Sequence, residues 1–300
     1  MRQATEADFP FVDEMLGLAV NNPAMGIGYP GGSFEDMQKE LSEIDKTISN
    51  SILIIENNGR AIGIIGVYDA PWGLYLVGPI FAPQHHSSKN IADIIPAFLN
   101  SGNFADKTVI VDAKEGNAAM VDALETLGFE HTYSGVSMRL NIGQCAPSPA
   151  AAGVSKISLE DKAQLQHVCE IFDAYLSPWR SGGMDYMEEL LKDGAFVASV
   201  SEVGNIIGGI VWEQRGDFNE LNYLCIDKEY QGKGYGRRLL DYVIEDIRGT
   251  ITPSVENFLY LDVAQDNTAA QDFYTRCGFD TEYLRRVYKK IREGEMGKNG

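Results

Sequence analysis

The sequence predicts an α/β protein, of the α+β kind, built from two tandem domains. Three observations carry this. The stretch Asn117 to Phe129 aligns without gaps to Asn267 to Phe279, 150 positions later. Each half opens with a short strand and a helix start, where Thr5 or Ser158 is followed three residues on by Asp8 or Asp161, a capping arrangement. Each half then has a hairpin signal, at Asn57-Asn58-Gly59 and at Val203-Gly204-Asn205. Two copies of one domain account for this better than one large fold.

The first half reads in order. Apolar periodicity predicts a helix over Asp8–Val20, then a Gly- and Pro-rich loop, Asn21 to Gly32. Phe34, Met37, Leu41, Ile44 and Ile48 mark a second helix. Strands Ile52–Ile55 and Ile62–Val67 make the hairpin, and Leu74–Phe81 is the central strand. A helix (Ile91–Leu99), a strand (Thr108–Val111), a helix (Asn117–Leu127) and a closing strand (Ser134–Leu140) follow. Gln144 to Gly153 has linker composition, which sets domains of 1–142 and 154–300 joined by 143–153. The second half repeats the order, with helices near Asp161–Tyr175 and Met184–Leu191 and a hairpin over Phe196–Trp212. The tail Glu293–Gly300 is polar and reads as loose.

Its central strand starts at Glu220. Leu221, Tyr223 and Cys225 alternate with Leu224 and Ile226, so both faces are apolar, as in a strand buried mid-sheet. Gln231-Gly232-Lys233-Gly234-Tyr235-Gly236 then turns sharply, and Leu239, Leu240, Val243, Ile244 and Ile247 recur at helical spacing. A glycine turn between strand and helix suits phosphate. The backbone can approach closely, its N–H groups point outward, and the helix N-terminus adds roughly half a positive charge. Lys233, Arg237 and Arg238 add full charges. The Walker pattern fails, since no Ser or Thr follows Lys233, and the dinucleotide pattern fails on glycine spacing.

Gln231-x-x-Gly234-x-Gly236, followed downstream by the strand Phe258–Val263 and by Asn267…Phe273-Tyr274…Gly278-Phe279, resembles the acyl-CoA site of the GCN5-related N-acetyltransferase (GNAT) family. The resemblance implies, in each half, a mixed and mostly antiparallel sheet flanked by helices. It also implies that acetyl-CoA is the co-substrate. Leu224, Cys225, Ile226, Gln231, Gly232, Lys233, Gly234, Tyr235, Gly236, Arg237 and Asn267 are then the expected cofactor-binding residues, with an oxyanion donor from around Cys225 or Ile226. Tyr274 matches the family's general acid, and Glu220 a position where many members place a base. Asp217 and Glu213 are the nearby alternatives. Trp179, Arg180, Tyr186 and Trp212 fall in segments that line the family's substrate side.

The first half keeps the order of elements and loses the motif. Gln84-His85-His86-Ser87-Ser88-Lys89 stands where the glycine turn is expected and has no glycine, and Leu124 stands at the place of Tyr274. It reads as a degenerate copy.

Composition narrows the function. The 300 residues are 44% hydrophobic, and the mean hydropathy is -0.17. A net charge of -18 and a pI of about 4.6 argue against a basic nucleic-acid face. The N-terminus has no signal-peptide core and no apolar run reaches transmembrane length, so a cytoplasmic protein is expected, with no membrane partner. Cys145, Cys169, Cys225 and Cys277 show no Cys-x-x-Cys spacing, and Cys225 and Cys277 lie on apolar faces of predicted elements, so buried thiols are expected rather than disulfides or a metal site. The expected activity is direct acetyl transfer from acetyl-CoA to a small-molecule or peptide amine, a thiol-containing sugar amine among them. A non-catalytic acyl-CoA sensor or scaffold is the alternative. The sequence leaves the acceptor and the oligomeric state open.

Overall fold

The computed structural model describes residues 1–27, 34–43, 46–70, 73–101, 104, 107–148, 152–175, 183–215, 218–250 and 257–290. The strands are β1 (Arg2–Gln3), β2 (Ile52–Asn57), β3 (Arg60–Ala70), β4 (Gly73–Phe81), β5 (Val109–Lys114), β6 (Glu130–Asn141), β7 (Val154–Ile157), β8 (Phe196–Glu202), β9 (Asn205–Arg215), β10 (Phe218–Ile226), β11 (Phe258–Ala264) and β12 (Asp280–Lys290). The helices are α1 (Phe9–Asn21), α2 (Phe34–Glu43), α3 (Ile48–Ser51), α4 (Ser88–Ser101), α5 (Ala118–Thr126), α6 (Lys162–Tyr175), α7 (Met184–Lys192), α8 (Tyr235–Thr250) and α9 (Thr268–Arg276). The expected Ile44 and the tail 293–300 lie outside the described residues. No described helix is long and apolar enough to cross a membrane.

The chain forms two compact units. The first is Met1–Val136 with the chain's end from Tyr283, and the second is Ser137–Glu282. In the first, the strand order is β1-β2-β3-β4-β5-β12; only β4 and β5 run parallel. In the second, the order is β7-β8-β9-β10-β11 with β6 beside β11; β7 through β10 pair antiparallel, and β10 runs parallel to β11. These are the mixed, mostly antiparallel sheets flanked by helices that the resemblance implies.

The units differ from the expected boundaries at both closing strands: the first unit stops at Val136, so Ser137–Asn141 of β6, expected within the first domain, belong to the second unit. The last strand of the chain, expected within the second domain, sits in the first unit. There Arg285 to Lys290 run antiparallel to Lys114 to Val109. Tyr288 on this strand is fully buried in the first unit's core. Arg285 donates to Asp112 at 2.9 Å and Lys290 to the Leu127 carbonyl at 2.6 Å. The linker-like stretch is also tied down. Arg248 of α8 donates to the Ile142 carbonyl at 2.9 Å, and Glu245 accepts from the Ser148 N–H at 2.9 Å.

Both expected side-chain pairs form, Asp8 accepting from the Thr5 N–H at 2.8 Å and Asp161 from the Ser158 hydroxyl at 3.0 Å, but Thr5 caps only a 3-10 turn, Glu6–Asp8, and α6 starts later than Ser158, at Lys162. In the second unit α8 buries Leu239, Leu240, Val243, Ile244 and Ile247 on one face of the sheet. Helices α6 and α7 cover the other face, around Val168, Phe172, Met187, Val211 and Tyr223. Each such apolar side chain contributes about 1.5–3 kcal/mol by leaving water. Between these layers β10 is apolar on both faces, which holds its C-terminal end in place.

Candidate active site

The site starts from a strand pair that opens. β10 and β11 are in parallel register at Asn219↔Leu259, Glu220↔Tyr260 and Leu221↔Leu261, and the registered pairing ends there. Against β9, the register of β10 shifts between Leu221 and Tyr223, a bulge at Asn222. The bulge turns the strand, and a wedge opens between Tyr223–Ile226 and Asp262–Ala264. Backbone groups on the wedge side of β10 follow from alternation. The Asp227 N–H donates to the Ile207 carbonyl of β9 at 2.8 Å. Two residues back, Cys225 likewise directs its peptide groups at β9, so those of Leu224 and Ile226 face the wedge.

The glycine loop caps the wedge. Gly232 and Gly234 have φ of +74° and +87°, and nothing stands within 4 Å of where a side chain would project. These are left-handed positions opening into space, a cradle that a Cβ would fill. Gly236 differs: a Cβ there would make ordinary contact with Phe273 and Leu224, at 3.4 and 3.6 Å, so neither its space nor its backbone demands glycine. The first backbone bond of α8 is Arg238 N–H to the Gly234 carbonyl. Among the described residues, the six N–H groups from Gly232 to Arg237 have no acceptor. Six donors around open glycines at a helix N-terminus fit the pyrophosphate of acyl-CoA.

Side chains hold the loop from below. Gln231 donates to the Ile226 carbonyl at 2.9 Å. The Tyr235 phenol donates to Glu202, and that hydrogen bond raises the phenol's pKa. The Tyr235 side chain is therefore an anchor, and only its N–H is presented to the loop. Arg237 is engaged by Asp241 at 2.6 Å, which leaves Lys233 and Arg238 as the cations beside the turn.

Tyr274, on α9, is 9% exposed, with its ring against Phe273 and Phe279 at 5.2 and 5.4 Å. Asn267 caps α9, its side chain accepting from the Ala270 N–H at 3.1 Å. Glu220 is the direct partner of Glu213 on β9 and of Tyr260 on β11, so Glu220 and Glu213 share one face of the sheet. Asp262, two residues beyond Tyr260, projects from that same face. Sequence reading did not single it out, although an acid in an otherwise apolar strand is a usable signal. The Asn222 amide donates to Glu213 at 2.7 Å. Among the described residues no group of acids, histidines and cysteines is placed to hold a metal.

Other expectations resolve variously. Trp212 is buried on the α8 face, packed on Phe196 and Tyr242 at 5.5 and 6.1 Å, so it belongs to the core. Tyr186 is exposed on α7. Asp217, Trp179 and Arg180 lie outside the described residues. All four cysteines are free thiols; Cys225 is buried as expected, whereas Cys277 is only half-buried.

The first unit builds the same wedge and fills it with its own chain. β4 and β5 pair from Leu74↔Val109 to Leu76↔Val111, and the registered pairing ends there. Further along β5, Ala113 pairs with Arg286 on one edge and with Ile27 on the other. Ile27 therefore occupies the edge from which β4 has diverged. The Lys114 N–H and the Asn117 amide both donate to the Gly26 carbonyl, at 3.1 and 3.2 Å. Where the second unit has Gln231, His86 bonds Asn117 at 2.9 Å.

Comparison with known proteins agrees with this geometry. Residues 165–279 match the sequence model of the Acetyltransferase (GNAT) family. The ribosomal protein bS18-alanine N-acetyltransferase of Haemophilus ducreyi is 31% identical over 125 residues, 40% of this chain and 79% of that protein. The N-alpha-acetyltransferase RimI of Mycobacterium tuberculosis is 38% identical over 72 residues, 24% of this chain and 41% of that protein. The chain thus spans less than half of the latter. Among solved structures, a GCN5-related N-acetyltransferase from Sphaerobacter thermophilus superposes with a TM-score of 0.68 at 17% identity, over 98% of this chain and 96% of that one. A tandem GNAT protein from the clavulanic acid biosynthesis pathway gives 0.62 at 13% identity, over 97% and 96%. The two structures show the shared fold, and the Haemophilus relative the kinship: the chain belongs to the GNAT family, acyl-CoA-dependent N-acetyltransferases whose co-substrate is acetyl-CoA.

Proposed function

We propose that the second unit transfers acetyl directly from acetyl-CoA to a primary amine in a ternary complex, and that the first unit binds no acyl-CoA. The observation carrying this is the contrast between the two wedges. One ends in six outward N–H groups around open glycines; the other is taken up by Gly26 and Ile27. The pyrophosphate lies on Gly232 to Arg237, and Asn267 meets the pantetheine arm. The thioester carbonyl accepts from the Ile226 N–H, with Leu224 lining the same edge.

Three tasks then remain for side chains. Glu220 takes the amine's proton, directly or through water, with Glu213 and Asp262 holding negative charge on the same face for an incoming ammonium. The backbone donor on β10 stabilises the oxyanion. Tyr274 returns a proton to the departing thiolate. A cysteine relay is disfavoured. Burial pushes the Cys225 thiol up to about 12 and Cys169 up to about 11, which leaves almost no thiolate near pH 7.

For the acceptor, the α-amine of a peptide is the first class to test, because the relatives are named a ribosomal protein bS18-alanine N-acetyltransferase and an N-alpha-acetyltransferase. The test is thiol release from acetyl-CoA across peptides with free N-termini, polyamines, aminoglycosides and amino sugars. Turnover above hydrolysis with any of them supports transfer. Tight acetyl-CoA binding with no turnover in the whole panel moves the reading to an acyl-CoA sensor.

A further inference from the structure

The turn preceding the glycine loop is capped in an unusual way. Lys228–Tyr230 form one turn of 3-10 helix, and Asp227 at its N-cap makes no side-chain bond to that turn. The carboxylate instead accepts from the Tyr175 hydroxyl at 2.8 Å. The same hydroxyl accepts from the Lys228 N–H at 3.2 Å. A phenol from the last residue of α6 therefore does the work of the cap, and both its donor and acceptor capacities are used. The turn is also bonded to β9 through the Asp227 N–H. Tyr175 is 42% exposed, so its ring contributes little to the core and its position is set by these two bonds.

The first unit supplies an internal control. Its equivalent turn has the same backbone bonds, His85 N–H to the Ala82 carbonyl at 2.8 Å and His86 N–H to the Pro83 carbonyl at 3.3 Å. There Ala82 stands for Asp227 and Pro83 for Lys228. Alanine has no carboxylate and proline no N–H. The unit without the glycine loop lacks both groups that the phenol engages, so the turn itself does not require the brace.

We infer that Tyr175 is a positioning residue for acetyl-CoA: its hydroxyl fixes the turn Lys228–Tyr230 and so the direction of the loop N–H groups that follow. This rests on the reading that Gly232 to Arg237 cradle the pyrophosphate. Loosening the turn leaves the chemistry at Tyr274 and Glu220 untouched and weakens the cofactor.

The test uses the full chain and calorimetry with acetyl-CoA. Tyr175→Phe keeps the ring and removes two hydrogen bonds, so Kd rises about tenfold. KM for acetyl-CoA rises in step, while kcat at saturating acetyl-CoA stays within about twofold and Tm is nearly unchanged. Asp227→Asn keeps an acceptor for the phenol and binds close to wild type, whereas Asp227→Ala matches Tyr175→Phe. The double variant Tyr175→Phe/Asp227→Ala is no weaker than Asp227→Ala alone. Wild-type affinity in Tyr175→Phe overturns the inference, as does a fall in Tm without a change in Kd, or additive losses in the double variant. Failure of the wild-type chain to bind acetyl-CoA at all defeats the pyrophosphate reading first, and is seen before any variant is made.

Discussion

Asn117 and Asn267 cap matching helices with nearly the same backbone, φ and ψ of -85° and 69° against -83° and 64°, yet their amides have opposite fates. Asn117 is fully buried and donates to Gly26. Asn267 is exposed, and among the described residues its amide nitrogen has no acceptor. The first unit thus satisfies with its own backbone what the second leaves available to a ligand. Gly26→Ala tests this. A Cβ there would stand 2.3 to 2.9 Å from the Lys114 side chain, including its own Cβ. Thermal unfolding should show a loss of about 1–3 kcal/mol, while acetyl-CoA affinity stays at the wild-type value. A fall in affinity with unchanged stability would tie the first unit's wedge to the cofactor.

Tyr274→Phe keeps a ring already packed between Phe273 and Phe279 and deletes one hydroxyl. Turnover should fall by roughly 10²-fold or more, with KM nearly intact, as expected of a proton donated only in the transition state. The deficit should shrink at low pH, where solvent supplies the proton. Full activity across the pH range removes the phenol from the mechanism.

Glu220, Glu213 and Asp262 share one face of the sheet, and the pH profile separates them. Glu220→Gln should lower kcat/KM by about 10²-fold and flatten the limb on which activity rises with pH. Glu213→Gln and Asp262→Asn should chiefly raise the acceptor's KM. If the limb persists in Glu220→Gln and vanishes in one of the others, that residue is the base.

Val203 turns the β8–β9 hairpin at a φ of +50° and is 97% exposed. A β-branched residue is strained there. The equivalent hairpin of the first unit uses Asn58 at the same φ of 50°. Val203→Asn should raise stability by roughly 0.5–1 kcal/mol, read as a higher denaturation midpoint with unchanged slope. No gain would mean the turn relaxes around valine at no cost.

Much of this is legible in the sequence. Glycines at Gly232, Gly234 and Gly236, and a helix starting at Tyr235, followed from spacing. The repeat from Asn117 to Asn267 set the two-copy order. What escaped has physical reasons. β6 and β12 carry equivalent patterns after equivalent helices, so local periodicity gives no sign that Tyr288 packs into the first unit. The Gly26–Ile27 insertion is one bridge and two hydrogen bonds from a loop, with no period to read. Trp212 sits one residue from Glu213, and alternation puts them on opposite faces; only the register of β9 shows that Glu213 is the one sharing a face with Glu220.

The most direct measurement is the stoichiometry of acetyl-CoA on the full chain, by calorimetry, beside Gly234→Asp. The variant places a carboxylate where the cradle is open and φ is +87°. It would repel the pyrophosphate and fill the space beside it. The account predicts one acetyl-CoA per chain in the wild type and none in the folded variant. Two per chain, or one retained by Gly234→Asp, would contradict it.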